Sequence, residues 1–124
     1  MIEFKEINLV DRKPVWIALS EFYLDTQLQD STIDKIAEVI NKSPYTFNDI
    51  REIDKYELFP VLASNLFKSF GDWAGFDEKW LIGKILKNIQ GRNIINKFGL
   101  EILYFILQNM NRNYWMKLKE RIKK

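Results

Sequence analysis

The sequence predicts an all-α, compact single-domain bundle of about six to seven short helices. Three observations carry this reading. Apolar residues recur at i, i+3, i+4 and i+7 in one segment after another, the period of a helix that buries one face. Between those segments stand residues that start and stop helices: acids, serines and threonines ahead of a stripe, glycines and prolines behind it. Only IEFKEINLV alternates as a strand does, and a lone strand is marginal. The 124 residues, 47 % hydrophobic, suffice for one domain with its own core, and residues 1–124 are read as that domain.

The first helix is expected in DRKPVWIALSEFYLDT, with Asp11 as N-cap and Pro14 in the first turn, where its missing N–H costs little. Val15, Ala18, Leu19 and Phe22 form its stripe, and Trp16 and Tyr23 broaden it. Ser31 and Asp34 resemble a capping box ahead of a second stripe of Ile33, Ile36, Ala37 and Ile40, which should stop before Pro44. Thr46 or Asn48 can cap a third helix through Phe47, Ile50 and Ile53. Pro60 is expected to break it and to open a new helix, PVLASNLFKSF, closed by Gly71.

Asp77 can cap EKWLIGKILKNI, with Trp80 or Leu81, Ile85, Leu86 and Ile89 inward and Gly91 as its stop. RNIINKF follows. LEILYFILQNM, apolar nearly all round, is expected as a central buried helix. Residues 111–124 read as a basic C-terminal helix with a thin stripe of Trp115, Leu118 and Ile122.

Composition excludes several chemistries. The chain has neither cysteine nor histidine, so there is no disulfide framework, no thiolate nucleophile and no imidazole base or ligand. The acids at 25, 30 and 34 do not follow the calcium-loop pattern, and the five glycines form no phosphate-cradling loop. Asp54 and Glu57 share one helix face, but caps and solvated faces account for carboxylates in such positions. No catalytic residue, metal or cofactor is expected. The N-terminus lacks a signal-peptide pattern and no apolar run reaches membrane-spanning length, so a cytoplasmic protein is expected.

Charge is divided along the chain. Residues 1–78 hold 8 Lys/Arg against 15 Asp/Glu, and residues 79–124 hold 11 against 2. Two binding readings follow from this asymmetry. Acids in the first half lie among Trp16, Tyr23, Tyr45, Tyr56 and Trp73, a composition suited to a basic protein partner. In the second half, Arg112, Lys117, Lys119 and Arg121 stand beside Tyr114 and Trp115, a pattern suited to phosphate contacts with base stacking.

RKPVWIALSEFYLDT, INKSPYTFNDI, ELFPVLASNL and GDWAGFDEKWL together resemble a family of small all-helical bacterial domains of unknown function. Its members share, in order, R-x-P-V-W-x-A-L-S-x-x-(F/Y)-L-D-T, an S-P-Y turn, an acidic–(V/F)–P-V-L-x-x-N-L segment and a G-x-W-x-G-F-D corner. The match covers roughly residues 12 to 86 and implies a bacterial origin without an assigned activity.

The functional expectation is a small cytoplasmic protein-binding module: an immunity-type inhibitor that neutralises a basic toxin domain through its acidic, aromatic surface. Tyr56, Glu57, Asp72, Trp73 and Asp77 are the expected contact residues. The corner GDWAGFDEKW accounts for most of its own residues as stops, staples and caps, which leaves Asp72 and Trp73 for recognition. The alternative is a nucleic-acid-binding accessory domain that uses Arg112, Lys117, Lys119 and Arg121.

Overall fold

The computed structural model describes residues 8–23, 28–66, 77–90, 101–102, 104–105 and 111–124. All regular structure among them is helical. Helix α1 spans Leu9–Leu19 and tightens into a 3₁₀ turn at Ser20–Tyr23. It starts earlier than Asp11. Asn8 is the N-cap, its Oδ1 accepting from the Val10 and Asp11 amides at 3.0 and 3.4 Å, so part of the stretch read as an alternating strand is the first helical turn. Pro14 therefore lies inside the helix, on its exposed side.

Helix α2 spans Asp30–Lys42 and buries Ile33, Ile36, Ala37 and Ile40, the expected stripe. The Ser31–Asp34 capping box does not form, because Asp30 already belongs to the helix and Gln29 is its N-cap. Ser43 closes the helix, its hydroxyl donating to the Ile40 carbonyl at 2.7 Å, and Pro44 follows where a stop was expected.

Thr46 opens α3 with a complete capping box: its Oγ1 accepts from the Asp49 amide at 3.1 Å, and the Asp49 carboxylate accepts from the Thr46 amide at 3.0 Å. Helix α3 has three consecutive parts, Phe47–Ile53, a widened π-turn at Asp54–Leu58, and Phe59–Leu66. The expected break at Pro60 is absent. In the π-turn the Phe59 amide reaches back five residues to the Asp54 carbonyl. The backbone is thus already opened where a proline ring would collide with a regular α-turn, and the helix passes through Pro60 unbroken.

Helix α4 spans Glu78–Gln90, and Asp77 caps it as expected, accepting from the Trp80 amide at 2.9 Å. Leu81 and Ile85 face inward, whereas Trp80 is 45 % exposed, which settles the choice between Trp80 and Leu81. Glu101, Ile102, Tyr104 and Phe105 are helical. Tyr104 is buried, but Ile102 and Phe105 face outward, so that segment is not inward-facing all round. Helix α5 spans Arg112–Arg121. The described residues thus hold five continuous helices besides the helical residues at 101, 102, 104 and 105; the segment expected to divide at Pro60 is continuous, and the expected RNIINKF lies outside the described residues. Gly71 and Gly91, expected helix stops, lie outside the described residues.

Helix α1 is central, in contact with α2, the π-turn of α3 and α4; α5 packs along α2. Trp16, Leu19, Ile33, Ile40, Ile50, Ile53, Leu58, Phe59, Leu62, Leu81, Ile85 and Leu118 fill the interior. Trp115 anchors α5, meeting Phe22 and Phe47 edge-on at centroid distances of 5.0 and 6.0 Å, with the Arg51 guanidinium over its ring at 4.5 Å. No helix among the described residues is long and apolar enough to cross a membrane.

Candidate functional site

The densest polar chemistry lies inside the bundle, around the π-turn. Arg12 and Trp16 stand one turn apart on α1, so both project toward the same neighbour. That neighbour is Glu57. Its Oε2 pairs with the Arg12 guanidinium and its Oε1 accepts from the Trp16 indole N–H at 2.9 Å. Tyr45, between α2 and α3, closes the group: its ring lies 5.0 Å from the guanidinium carbon, and its hydroxyl accepts from Arg12 Nε at 3.2 Å. Burial opposes the Arg12 charge, but hydrogen bonds and charge from Glu57 and Tyr45 outweigh it and hold the guanidinium above its ordinary pKa.

One turn earlier on α3 is a second buried carboxylate. Asp54 Oδ1 accepts from the Tyr23 hydroxyl and Oδ2 from the Tyr104 hydroxyl, each at 2.7 Å. Burial raises Asp54 to about 6, against the opposing pull of the two hydroxyls and Arg51. Burial and the Asp54 charge likewise push the Tyr23 and Tyr104 phenols above their ordinary values. Phe59 packs against both tyrosine rings. All four carboxylate oxygens of Asp54 and Glu57 have protein donors, and both residues are at most 4 % exposed. Such an arrangement holds elements in register and engages every oxygen of the two carboxylates within the protein.

The expected contact residues are dispersed. Glu57 is interior and committed to Arg12 and Trp16, a correction to its expected place on a surface. Tyr56 is half-buried and donates to Glu101 Oε1 at 3.0 Å, beside the Lys55–Glu101 pair at 3.5 Å. Asp77 is exposed and acts as a cap. Asp72 and Trp73 lie outside the described residues. Of the other aromatics assigned to that surface, Trp16 and Tyr23 are core.

The basic segment is tied to its own protein. Lys117 pairs with Asp30 at 3.0 Å and Arg121 with Asp34 at 2.5 Å, so the oppositely charged halves meet along α2 and α5. Lys117 holds the Asp30 carboxyl below its usual range. The Lys119 ammonium lies 5.7 Å from the Phe47 ring centroid, and Lys124 donates to the Ser43 and Tyr45 carbonyls. Asn41 accepts from the Lys123 amide and donates to the Arg121 carbonyl. Arg112 remains exposed. The aromatics expected to stack on bases turn inward: Trp115 is buried, and the Tyr114 hydroxyl accepts from the Leu28 amide at 3.1 Å.

Sequence reading missed the internal roles of Arg12 and Asp54. A signal for Arg12 existed: it falls one turn before Trp16, inside the apolar stripe, where an arginine needs a buried partner.

A family model, described as a domain of unknown function, DUF7079, matches residues 10–121. The chain belongs to the DUF7079 family. No curated protein and no solved structure matches it. The geometry gives the motifs of this chain a physical meaning. R-x-P-V-W supplies Arg12 and Trp16, S-P-Y supplies Tyr45, and the segment ahead of P-V-L supplies Glu57. Three of the four motifs therefore converge on one buried ion pair.

Proposed function

We propose that this DUF7079 domain is a protein-binding module rather than an enzyme, of the immunity type that neutralises a toxin domain in the bacterial cytoplasm. The observation that carries the reading is the saturation of Asp54 and Glu57 by Tyr23, Tyr104, Trp16 and Arg12. The buried carboxylates serve the fold, while large apolar side chains are turned outward: Trp80, Ile102, Phe105 and Met116 are each between 45 % and 71 % exposed. Exposed apolar groups within a polar surface suit a protein partner. On this reading Tyr56, Asp72, Trp73 and Asp77 remain the contact set toward a basic partner, and Glu57 supports them from within. The nucleic-acid alternative is less favoured, because Lys117 and Arg121 are neutralised by Asp30 and Asp34.

Co-expression with each product of the adjacent genes, followed by size-exclusion chromatography and a growth assay, tests the proposal. A stable complex that relieves the toxicity of one such product is expected. Failure of every adjacent product to bind refutes it, as does salt-sensitive binding to DNA or RNA in the micromolar range without a protein partner.

A further inference from the structure

The segment that follows α5 is held in the manner of a peptide ligand. Ile122 leaves the helix in an extended conformation, at φ −85° and ψ 126°, and packs against the core. The Asn41 side chain grips the backbone on both sides of it, donating to the Arg121 carbonyl at 3.0 Å and accepting from the Lys123 amide at 2.9 Å. A primary amide used this way supplies the donor and acceptor of a neighbouring strand, and the flipped amide would satisfy neither bond. Lys124 completes the arrangement, its ammonium donating to the carbonyls of Ser43 and Tyr45 on either side of Pro44. Those carbonyls lie just past the C-terminus of α2, where the helix dipole favours a cation. Asp34, seven residues before Asn41 and on the same face of α2, takes Arg121.

We infer that Asn41 and the Ser43–Tyr45 turn form a binding site for an extended basic segment of a partner protein, filled here by the chain's own residues 122–124. The occupant shows what the site takes: a main chain for Asn41, an apolar side chain at the position of Ile122, and a lysine two residues later. Main-chain bonds tolerate many sequences, so a partner segment of this pattern makes the same contacts. Two carbonyls and the Asp34 carboxylate disfavour phosphate, which excludes a nucleic-acid strand as the occupant. Release of the occupant does not require α5 to unfold, because Trp115 and Leu118 anchor that helix in the core while Lys123 and Lys124 are exposed. Asn41, Ser43 and Tyr45 lie within the stretch matched by the family model, and residues 122–124 lie beyond it, so the acceptors fall in the family domain and the occupant outside it.

NMR titration of the full chain with the blocked peptide KERIKK, read at the Asn41 side-chain amide and the Tyr45 and Thr46 backbone amides, provides the test. A tethered occupant competes at an effective concentration of about millimolar, so wild type should bind the free peptide weakly. Lys123→Pro/Lys124→Ala removes the clamped N–H and the ammonium, and the residue before a proline keeps the extended form Ile122 already has. This released variant should bind the peptide about tenfold or more tightly than wild type, with saturable shifts at those amides. Adding Asn41→Ala should abolish the gain, and a single melting transition verifies that each variant folds. Equal binding by wild type and the released variant, binding that survives Asn41→Ala, equal binding of an acidic peptide of the same length, or dimerisation of the released variant without peptide binding overturns the inference. The probe is a peptide and not an adjacent gene product, so failure here is distinct from failure of the immunity reading.

Discussion

Asp54 makes the stability of this protein depend on pH in an unusual direction. Its carboxyl is completely buried, receives two tyrosine hydroxyls and no directly bonded cation, and titrates at about 6 instead of 3.8. The folded chain therefore takes up a proton at a higher pH than the unfolded chain does. Above about 6 the buried carboxylate is charged, at a cost of about 3 kcal/mol; the cost is relieved as pH falls through 6 and has gone below about 3.8. Lowering the pH from about 7.5 to about 5 should thus stabilise the native state by roughly 1–2 kcal/mol through this group. The chain has no histidine, so no imidazole titrates in that window. Asp54→Asn removes the titration but keeps the shape. One tyrosine then faces an amide N–H₂ and must redirect its hydroxyl, at about 1–3 kcal/mol, which offsets much of the neutral-pH gain. The informative readout is therefore the difference between wild-type and Asp54→Asn urea-unfolding free energies, followed across the window. Wild type should gain on the variant as pH falls. Parallel curves, or a wild type that gains as pH rises, would refute the reasoning.

Two further perturbations probe the rest of the interior. Glu57→Gln leaves the Arg12 guanidinium buried without its counter-charge and should cost about 3–5 kcal/mol in urea unfolding; the double change Arg12→Met/Glu57→Gln should recover a substantial part of that loss. Trp115→Ala removes the ring that Phe22, Phe47 and Arg51 enclose and should cost about 3–5 kcal/mol, with α5 and the remaining helices still melting in one calorimetric transition.

What could be read from the sequence follows the range of the interaction that decides each feature. The stripes of α1 and α2, the cap at Thr46 (read as Thr46 or Asn48) and the Asp77 cap depend on residues within a turn or two and were legible, whereas the reciprocal Asp49 half of the Thr46 box was not read. Pro60 was misread because a proline's local penalty is visible in a sequence, whereas a π-turn that admits its ring depends on the packing of the π-turn against α1 and α4. Asn8 was hidden by the weak alternation around it. Asp54 and Glu57 were correctly placed on one face, yet that face was read as solvated, because carboxylates usually are. Their donors come from far away: Arg12 is 45 residues from Glu57, and Tyr104 is 50 from Asp54.

The same logic explains why the motifs resemble a site without being an accessible one. An arginine, a tryptophan, a tyrosine and a glutamate stand apart when read along a line. In space they satisfy one another: Glu57 neutralises Arg12, Trp16 occupies its second oxygen, and Tyr45 covers the guanidinium. A pair this deeply buried gains little net stability over apolar residues of equal volume, but it strongly penalises any arrangement that separates its members. It thereby fixes α1, the turn before α3 and the π-turn in one register. Specific motifs can thus encode the alignment of a scaffold, while recognition is left to the outward side chains. Among the described residues the outward apolar side chains include Trp80, Ile102, Phe105 and Met116, whereas Lys117 and Arg121 of α5 are engaged by Asp30 and Asp34.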